Sequence, residues 1–555
     1  MKEILLIAPV KKPEDIDKFS KHSSCRSFYV YHTKFINNNF EYIKDFISAA
    51  KRNDCSIFIN FKHNINEEEL PVIKKMIKYL KTTDIDGIFI NSFAVLEVVK
   101  IYTLPFKVII DSYFDIHNLS GIDFVNNFHN ISGIIVTEEI YLKNIIKLKK
   151  YMKLPLAIDS DNLPWFAEDV QKTEAIDAVV IKGKFNSSEE ILDGIRLIEK
   201  ILKTPKLFKK QNLPFKHVRK SFYKTDHFSG DVVCADGGNF KFSGNIENFE
   251  WKCSKTKLKT DIVYKKDKDY KICLRLSKLS QILSLKRFIN KIGFNPIDSI
   301  EFGEIVSTSD LANMSFENAV KRVMKFCKNN NIQFCLSTPK ILIERDFDRV
   351  YEHCKKLLLS NLCTNPSIVI NNIGYFWAVI NDNDLSKFSI EIGQGINLAN
   401  SLAIKCLINL HRASTVDFTS QQDVKGILTT LSKVKNIIPN RKLTIAGNIS
   451  VPCLGLCPLN NDSAVISRLS CKAPCHSGSY ALKEPLTGEL HPFTCDGFCR
   501  MHLFENKIIQ NFEDIDKLQK HGINEFVFDF SAIDAKFVPI ILTNYLNSIY
   551  LDNDK

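Results

Sequence analysis

Six cysteines crowd into the 47 residues from Cys453 to Cys499, as three C-x3-C pairs: Cys453 with Cys457, Cys471 with Cys475, and Cys495 with Cys499. The other ten of the chain's sixteen are scattered singly. Thiolates gathered by loops can ligate zinc or an iron–sulfur cluster. Zinc ribbons use C-x2-C knuckles, which this stretch lacks, so its spacing suits a cluster better than zinc; unligated structural thiols are the third possibility. The radical SAM signature C-x3-C-x2-C is broken by Asn460. His476, His491 and His502 are either further ligands or ordinary surface histidines, and the second is the expectation for a lone histidine.

A second chemistry-bearing stretch lies near the middle of the chain. Between Ile201 and Thr225 stand Lys203, Lys206, Lys209, Lys210, Lys216, Arg219, Lys220 and Lys224 without one acid, interleaved with Phe208, Phe215, Phe222 and Tyr223. Cations neutralise phosphates and aromatic rings stack on unpaired bases, which makes this a candidate RNA-contacting strip. The plainer reading is a solvated linker whose rings pack on a neighbouring domain. A net charge of +12 over 555 residues favours an anionic partner only slightly.

These stretches need elements to position them. Short apolar runs alternate with helical-period segments from Met1 to about Leu202, predicting strands at 4–8, 28–31, 56–61, 87–91, 108–111, 133–136, 154–158 and 178–181. Eight strand–helix repeats in about 200 residues point to a TIM-like (β/α)8 barrel, an α/β fold, with an open doubly wound sheet as the alternative. The alternation resumes at 272–276, 299–306, 332–337, 367–371, 388–393, 415–419, 443–446 and 525–530, giving a second barrel in tandem. The expected domains are 1–205, a basic linker with a small β insertion at 206–269, and 270–551. The cysteine stretch falls between the seventh and eighth strands of the second barrel, so its loop should lie over the mouth where barrel enzymes keep their sites. Asp111 to Asn118 parallels Gly393 to Asn400, and a threonine follows each asparagine by nineteen residues (Thr137 and Thr419), as in a tandem duplication.

Composition sets the remaining bounds. With 45% apolar and 25% charged residues the chain reads as a globular protein, and no window approaches a membrane-spanning apolar run. The opening MKEILLIAPVKK reads as a first strand and not a signal peptide, so a cytoplasmic location and reduced cysteines are expected. There is no G-x-S-x-G and no H-E-x-x-H, and no Cys/His pair outside the cysteine stretch suits an activated nucleophile.

The chain resembles the peptidase U32 (collagenase-like protease) family, and within it UbiU/UbiV-like members. In the first half the resemblance is carried by Ile4-Leu-Leu-Ile-Ala-Pro-Val10, Asp86-Gly-Ile-Phe-Ile-Asn91, and Val136 to Ile145, which includes the family's characteristic glutamate as Glu139. In the second half it is carried by Phe302-Gly-Glu-Ile-Val306, Phe334-Cys-Leu-Ser-Thr338, Ile396-Asn-Leu-Ala-Asn400, the step from Gly447 to Cys457, and the pair Cys471 and Cys475. The resemblance implies barrel-like halves, and a 4Fe-4S cluster held by Cys457, Cys471 and Cys475. The early cysteine of UbiV-like proteins is Ser307 here, so a fourth ligand must come from Cys499, the favoured position, or from Cys453 or Cys495. No cysteines follow Leu154 to Ile158, so no cluster is expected in the first half. Gln421 replaces the second half's glutamate, which leaves any carboxylate role to Glu139.

By the same resemblance the expected activity is oxygen-independent hydroxylation, with a pyrimidine of tRNA or ribosomal RNA ahead of an aromatic ring in ubiquinone biosynthesis, and with an organic oxygen donor such as prephenate. A U32 peptidase and a non-catalytic cluster-bearing scaffold are the alternatives. Two halves on one chain would make a separate protein partner unnecessary.

Overall fold

A computed structural model describes residues 4–32, 40–61, 65–136, 142–152, 154–160, 175–183, 185–203, 231–234, 269–411, 413–418, 424–454, 480–483, 490–498 and 500–551. Contacts divide the chain into two compact units. The first comprises 1–225 with 342–347 and 398–411, and the second comprises the remainder.

The first unit contains a closed barrel of eight parallel strands: β1 (Leu5–Pro9), β2 (Ser27–His32), β3 (Ser56–Phe61), β4 (Gly87–Ile90), β5 (Lys107–Ile110), β6 (Gly133–Val136), β7 (Leu156–Asp159) and β8 (Ala178–Val180). Each pairs with the next, and β8 returns to β1 with Leu6 opposite Val179. The open-sheet alternative is thereby excluded. Around it run α1 (Pro13–His22), α2 (Tyr42–Arg52), α3 (Leu70–Leu80), α4 (Phe93–Lys100), α5 (Leu119–Asn126), α6 (Leu142–Tyr151) and α7 (Ser188–Lys203). Strands covered on both faces need no polar side, which is why β4 and β6 read as plain apolar runs.

One apolar plug fills this barrel: Ile7, Tyr29, Phe58, Phe89, Ile109, Ile135, Ala157, Ala178 and Val180, at least one residue from every strand. The large rings come from β2 to β4 and the alanines from β7 and β8, so size is balanced across the lumen. The Phe58 and Phe89 rings stack with centroids 5.3 Å apart. Gly87 permits this, because a Cβ there would lie 2.8 Å from the Phe58 ring and 2.7 Å from the Lys107 carbonyl oxygen. Above the plug, Lys182 Nζ contacts Asp111, lies 3.2 Å from Asp159, and donates to Ser112 Oγ at 2.6 Å. Asn60 Nδ2 donates to Asp111 Oδ2 at 3.1 Å.

The second half of the sequence adds β9 (Asp231–Cys234), β10 (Lys271–Arg275), β11 (Ser299–Phe302), β12 (Gln333–Ser337), β13 (Ser367–Ile370), β14 (Ser389–Ile392), β15 (Thr415–Phe418), β16 (Asn440–Leu454), β17 (Tyr480–Lys483), β18 (Leu490–Cys495), β19 (Met501–Gln510) and β20 (Glu525–Asp529). Its helices are α8 (Leu279–Ile292), α9 (Thr308–Leu311), α10 (Phe316–Asn329), α11 (Glu344–Leu358), α12 (Ile373–Ile380), α13 (Ser401–Ile408), α14 (Val424–Val434), α15 (Ile515–Lys520) and α16 (Val538–Leu551). Helix α13 and the start of α11 fall in the first unit. Strands β10 to β16 and then β20 close a second parallel barrel, with β16 joined to both β15 and β20. No helix among the described residues is long and apolar enough to cross a membrane.

The seventh barrel strand, β16, outruns the sequence expectation of 443–446. After pairing in parallel with β20 as far as Gly447, it continues antiparallel to β19, which pairs with β18, which pairs with β17, which pairs with β9. At the departure point Gly447 has φ +99°, and a Cβ there would fall 1.9 Å from the Asp529 carbonyl oxygen, so the junction admits only glycine. Of the insertion expected within 206–269, β9 and residue 269 are described; the rest lies outside the described residues.

Candidate active site at the mouth of the second barrel

The second barrel is filled with charge where the first is filled with rings. Arg275, at the end of β10, donates to Glu301 Oε1 at 3.0 Å and Oε2 at 3.1 Å on β11, to Asp417 at 2.6 Å on β15, and to Asp529 at 3.0 Å on β20. Strands β10 and β15 are not neighbours, so this network crosses the lumen. A second group comprises Lys442 with Glu391 and, at 3.2 Å, Glu525. Burial raises the acids, but the Arg275 charge and its hydrogen bonds carry Glu301 below its ordinary value. In Asp417 and Glu525 burial outweighs the cations, and both carboxyls are raised.

From the Arg275 network a polar path climbs to the C-terminal rim. Ser337 Oγ donates to Glu301 at 2.9 Å, and Asn371 Nδ2 donates to Ser337 Oγ at 3.0 Å and to Glu304 Oε2 at 3.3 Å. Gln394 Nε2 bridges Asp417 at 3.2 Å and Thr444 at 3.1 Å. At the rim Lys340 Nζ lies 3.4 Å from Glu304 Oε1 and donates to Ser450 Oγ at 3.1 Å. His502 Nδ1 is 3.9 Å from the same Glu304 oxygen, and its Nε2 is 3.2 Å from Asp496 Oδ2. Burial pushes the Asp496 carboxyl up, but Arg500 and His502 more than offset this and leave it below its ordinary value.

Two rim groups are buried without their bonds. Glu304, 7% exposed, has the cations just described nearby, yet its Oε1 accepts no hydrogen bond from the described residues. Asn448, 0% exposed and one residue past Gly447, has neither Oδ1 nor Nδ2 partnered among the described residues. A buried amide with no bonds costs about 1–3 kcal/mol. Such a cost marks a place where a polar ligand would complete the structure.

The cysteine stretch leaves and rejoins this same rim. Position 453 on β16 is registered opposite His502 on β19, which is opposite Thr494 on β18; Cys495 is one position further on. Neighbouring strands lie about 4.8 Å apart, so the Cα atoms of 453 and 494 are roughly 10 Å apart. Positions 453 and 495 are thus held by one sheet. Cys495 is buried. Cys457, Cys471, Cys475, Cys499, Glu139, Gln421 and His476 lie outside the described residues. Among the described residues no group of three or more His, Cys, Asp or Glu could hold a metal.

Two expectations are corrected. His491 and His502 are 8% and 1% exposed and not surface histidines, because β18 and β19, which carry them, pack onto the barrel rim. Glu304, Lys340, Asn371, Asn448 and Asp496 were not anticipated as site residues. The signal was present for Glu304, which directly follows Gly303 at φ +133°, where a Cβ would lie 2.7 Å from the Ser337 carbonyl oxygen. Ser307 is buried, its Oγ 2.8 Å from that of Ser309.

The fold and this rim define a tandem (β/α)8-barrel protein with a polar site on its second barrel. The family model described as peptidase family U32 matches residues 27–159, from β2 through β7. No curated protein matches the chain. Solved structures similar to it include a thiamine phosphate pyrophosphorylase from Pyrococcus furiosus (11% identity, 36% of this chain and 96% of that one, TM-score 0.27). Another is a truncated 3-deoxy-D-arabino-heptulosonate 7-phosphate synthase from Thermotoga maritima (13%, 37% and 89%, TM-score 0.27).

Proposed function

We propose that the protein is an iron–sulfur-dependent, oxygen-independent hydroxylase whose site is the mouth of the second barrel and whose substrate is a pyrimidine of RNA. The observation that carries this reading is the Asn448 amide, which has no hydrogen-bond partner among the described residues, on the strand from which the cysteine stretch departs, together with the unfilled Glu304 oxygen of the same barrel. A pyrimidine edge presents adjacent donors and acceptors, which an amide and a carboxylate complement. Further support comes from the +12 charge and the basic, aromatic strip between Ile201 and Thr225.

Cys457, Cys471 and Cys475 would hold the cluster, with Cys499 as fourth ligand and Cys453 or Cys495 as its substitutes. A bound cluster would supply electron transfer. The chain's own groups do the rest. Glu304 Oε1, 3.4 Å from Lys340 Nζ, would accept a hydrogen bond from a ring N–H. Asn448 fixes the ring's orientation by donating to a carbonyl and accepting from its neighbour. His502, held by Asp496, faces Glu304 and can hold a proton there. An organic donor such as prephenate would supply the oxygen. Peptide hydrolysis is disfavoured chemically. Burial raises Cys25, Cys273, Cys354 and Cys406 to about 12 and Cys363 to about 11, so these thiols are poor nucleophiles.

The UbiU/UbiV-like segments Phe302–Val306 and Ile396–Asn400 support a second reading, an aromatic ring of ubiquinone biosynthesis. Mass spectrometry of nucleosides and quinones from a deletion strain separates the two. Loss of one hydroxylated pyrimidine, restored by wild type and not by Asn448→Leu, is expected. An unchanged nucleoside profile overturns the RNA assignment.

A further inference from the structure

The first compact unit is not built from the first 225 residues alone; it also takes in 342–347 and 398–411. Within this unit one bonding device occurs twice. Asn118 caps α5, accepting from Gly121 N–H at 2.9 Å, and its Nδ2 donates to the Leu342 carbonyl at 2.7 Å. The N–H of Leu119, first residue of α5, donates to Glu344 Oε2 at 2.8 Å. Asn400 caps α13 in the same way, accepting from Ala403 N–H at 2.9 Å and donating to the Ile65 carbonyl at 2.8 Å. The N–H of Ser401 donates to Glu67 Oε2 at 2.6 Å, and its hydroxyl to Oε1 at 2.8 Å.

The two sets correspond residue for residue. Ile65 to Leu342 and Glu67 to Glu344 are both steps of 277, and Asn118 to Asn400 and Leu119 to Ser401 are both steps of 282. Helices α5 and α13 each follow the fifth strand of their half, while Glu67 and Glu344 each follow the third. Every bond therefore joins a position after strand five of one half to a position after strand three of the other, and the converse bond is also made. Reciprocity of this kind is the signature of an isologous contact, in which a surface recognises its own copy.

The chemistry shows why the exchange is specific. Neither α5 nor α13 has an acid in its first turn, so neither completes a capping box from its own sequence. Each takes the missing carboxylate from the other half, at the end of the helix where negative charge is favoured. All four side chains are buried: Asn118 0%, Asn400 1%, Glu67 2% and Glu344 7% exposed. Removing either partner strands a buried donor or charge. Lys147, 2.6 Å from Glu344, further neutralises that carboxylate.

We infer that the patch formed by Ile65, Glu67, Asn118 and Leu119 is a self-complementary docking surface whose partner is its own duplicate, Leu342, Glu344, Asn400 and Ser401. The sequence repeat at Asp111–Asn118 and Gly393–Asn400 is then the trace of a chain that once paired with a second copy of itself. This inference is independent of the proposed reaction.

The test uses the full chain with a specific protease site inserted after Thr225. After cutting, the two fragments are expected to co-elute in gel filtration at the size of the uncut 63.5 kDa protein. Glu67→Ala and Glu344→Ala should weaken their association by similar factors, tenfold or more each. The isosteric Glu67→Gln, which retains one acceptor, should weaken it less and guards against a folding defect. Separation of the wild-type fragments on cutting would overturn the inference. So would unchanged association in both alanine variants, or an effect confined to one of them.

Discussion

Replacing Arg275 by methionine tests whether the second barrel's interior is held by charge. The side chain is 8% exposed and makes four contacts of 2.6–3.1 Å to Glu301, Asp417 and Asp529. Methionine fills similar space but leaves three carboxyls around it without their cation. Removing one partner of a buried ion pair costs about 3–5 kcal/mol. A barrel of this size loses about 2–4 °C in Tm per kcal/mol, so a drop of about 6–20 °C is expected. The pH dependence gives the sharper reading. In the wild type Glu301 is depressed, so its stabilising contribution is present above its unfolded pKa and is lost as pH falls through its folded value. Asp417 is raised, so its contribution is complete below its unfolded pKa and is lost as pH rises through its folded value. Without Arg275 both carboxyls behave as raised groups. The stability gap between variant and wild type must therefore widen as pH rises from about 4 towards 8, near and above the ordinary carboxylate range. Urea unfolding at several pH values measures it. A gap that is flat with pH, or below about 1 kcal/mol at pH 8, would refute the view that Arg275 compensates these acids.

Lys182→Met in the first barrel should cost about 3 kcal/mol at pH 8 and less at pH 5, since burial already raises Asp159 and the lost cation raises it further; thermal melts at the two pH values check this. Gly87→Ala should cost about 1–3 kcal/mol by forcing a methyl group against the Phe58 ring, read as a lower urea midpoint. Anaerobic purification should yield a brown protein, and Cys457→Ala, Cys471→Ala or Cys475→Ala should each abolish the colour. A colourless wild type carrying stoichiometric zinc would exclude the cluster.

Both barrels were legible because parallel strands, covered on both faces, leave uninterrupted apolar runs such as Gly87–Ile90 and Ser367–Ile370. The rim was not legible. Glu304, Lys340 and Asn371 lie on three separate strand-to-helix connections, and only closure of the barrel brings them together. His491 and His502 looked like surface residues because they lie on β18 and β19, and β19 pairs with the unforeseen extension of β16. The repeat ending at Asn118 and Asn400 was visible, but spacing along a chain carries no information about the distant Glu344 and Glu67 that complete those caps.

The contrast between the two lumens bears on where chemistry occurs. In the first barrel Lys182 binds Asp111 and Asp159, and Asn60 donates to Asp111 over an apolar plug, although Asn60 Oδ1 has no hydrogen-bond partner among the described residues. In the second, both side-chain amide atoms of buried Asn448 lack a hydrogen-bond partner among the described residues. If that asymmetry is structural accident, Asn448→Leu should stabilise the protein by about 1–3 kcal/mol and leave activity intact, since it removes an unsatisfied amide. If the amide is kept for a ligand, the same change should still stabilise the fold while product formation falls by 10-fold or more, about 1.4 kcal/mol or above in transition-state binding. Stability and nucleoside profile measured on the one variant distinguish these outcomes. A gain in stability with full activity would remove the rim from the proposed site.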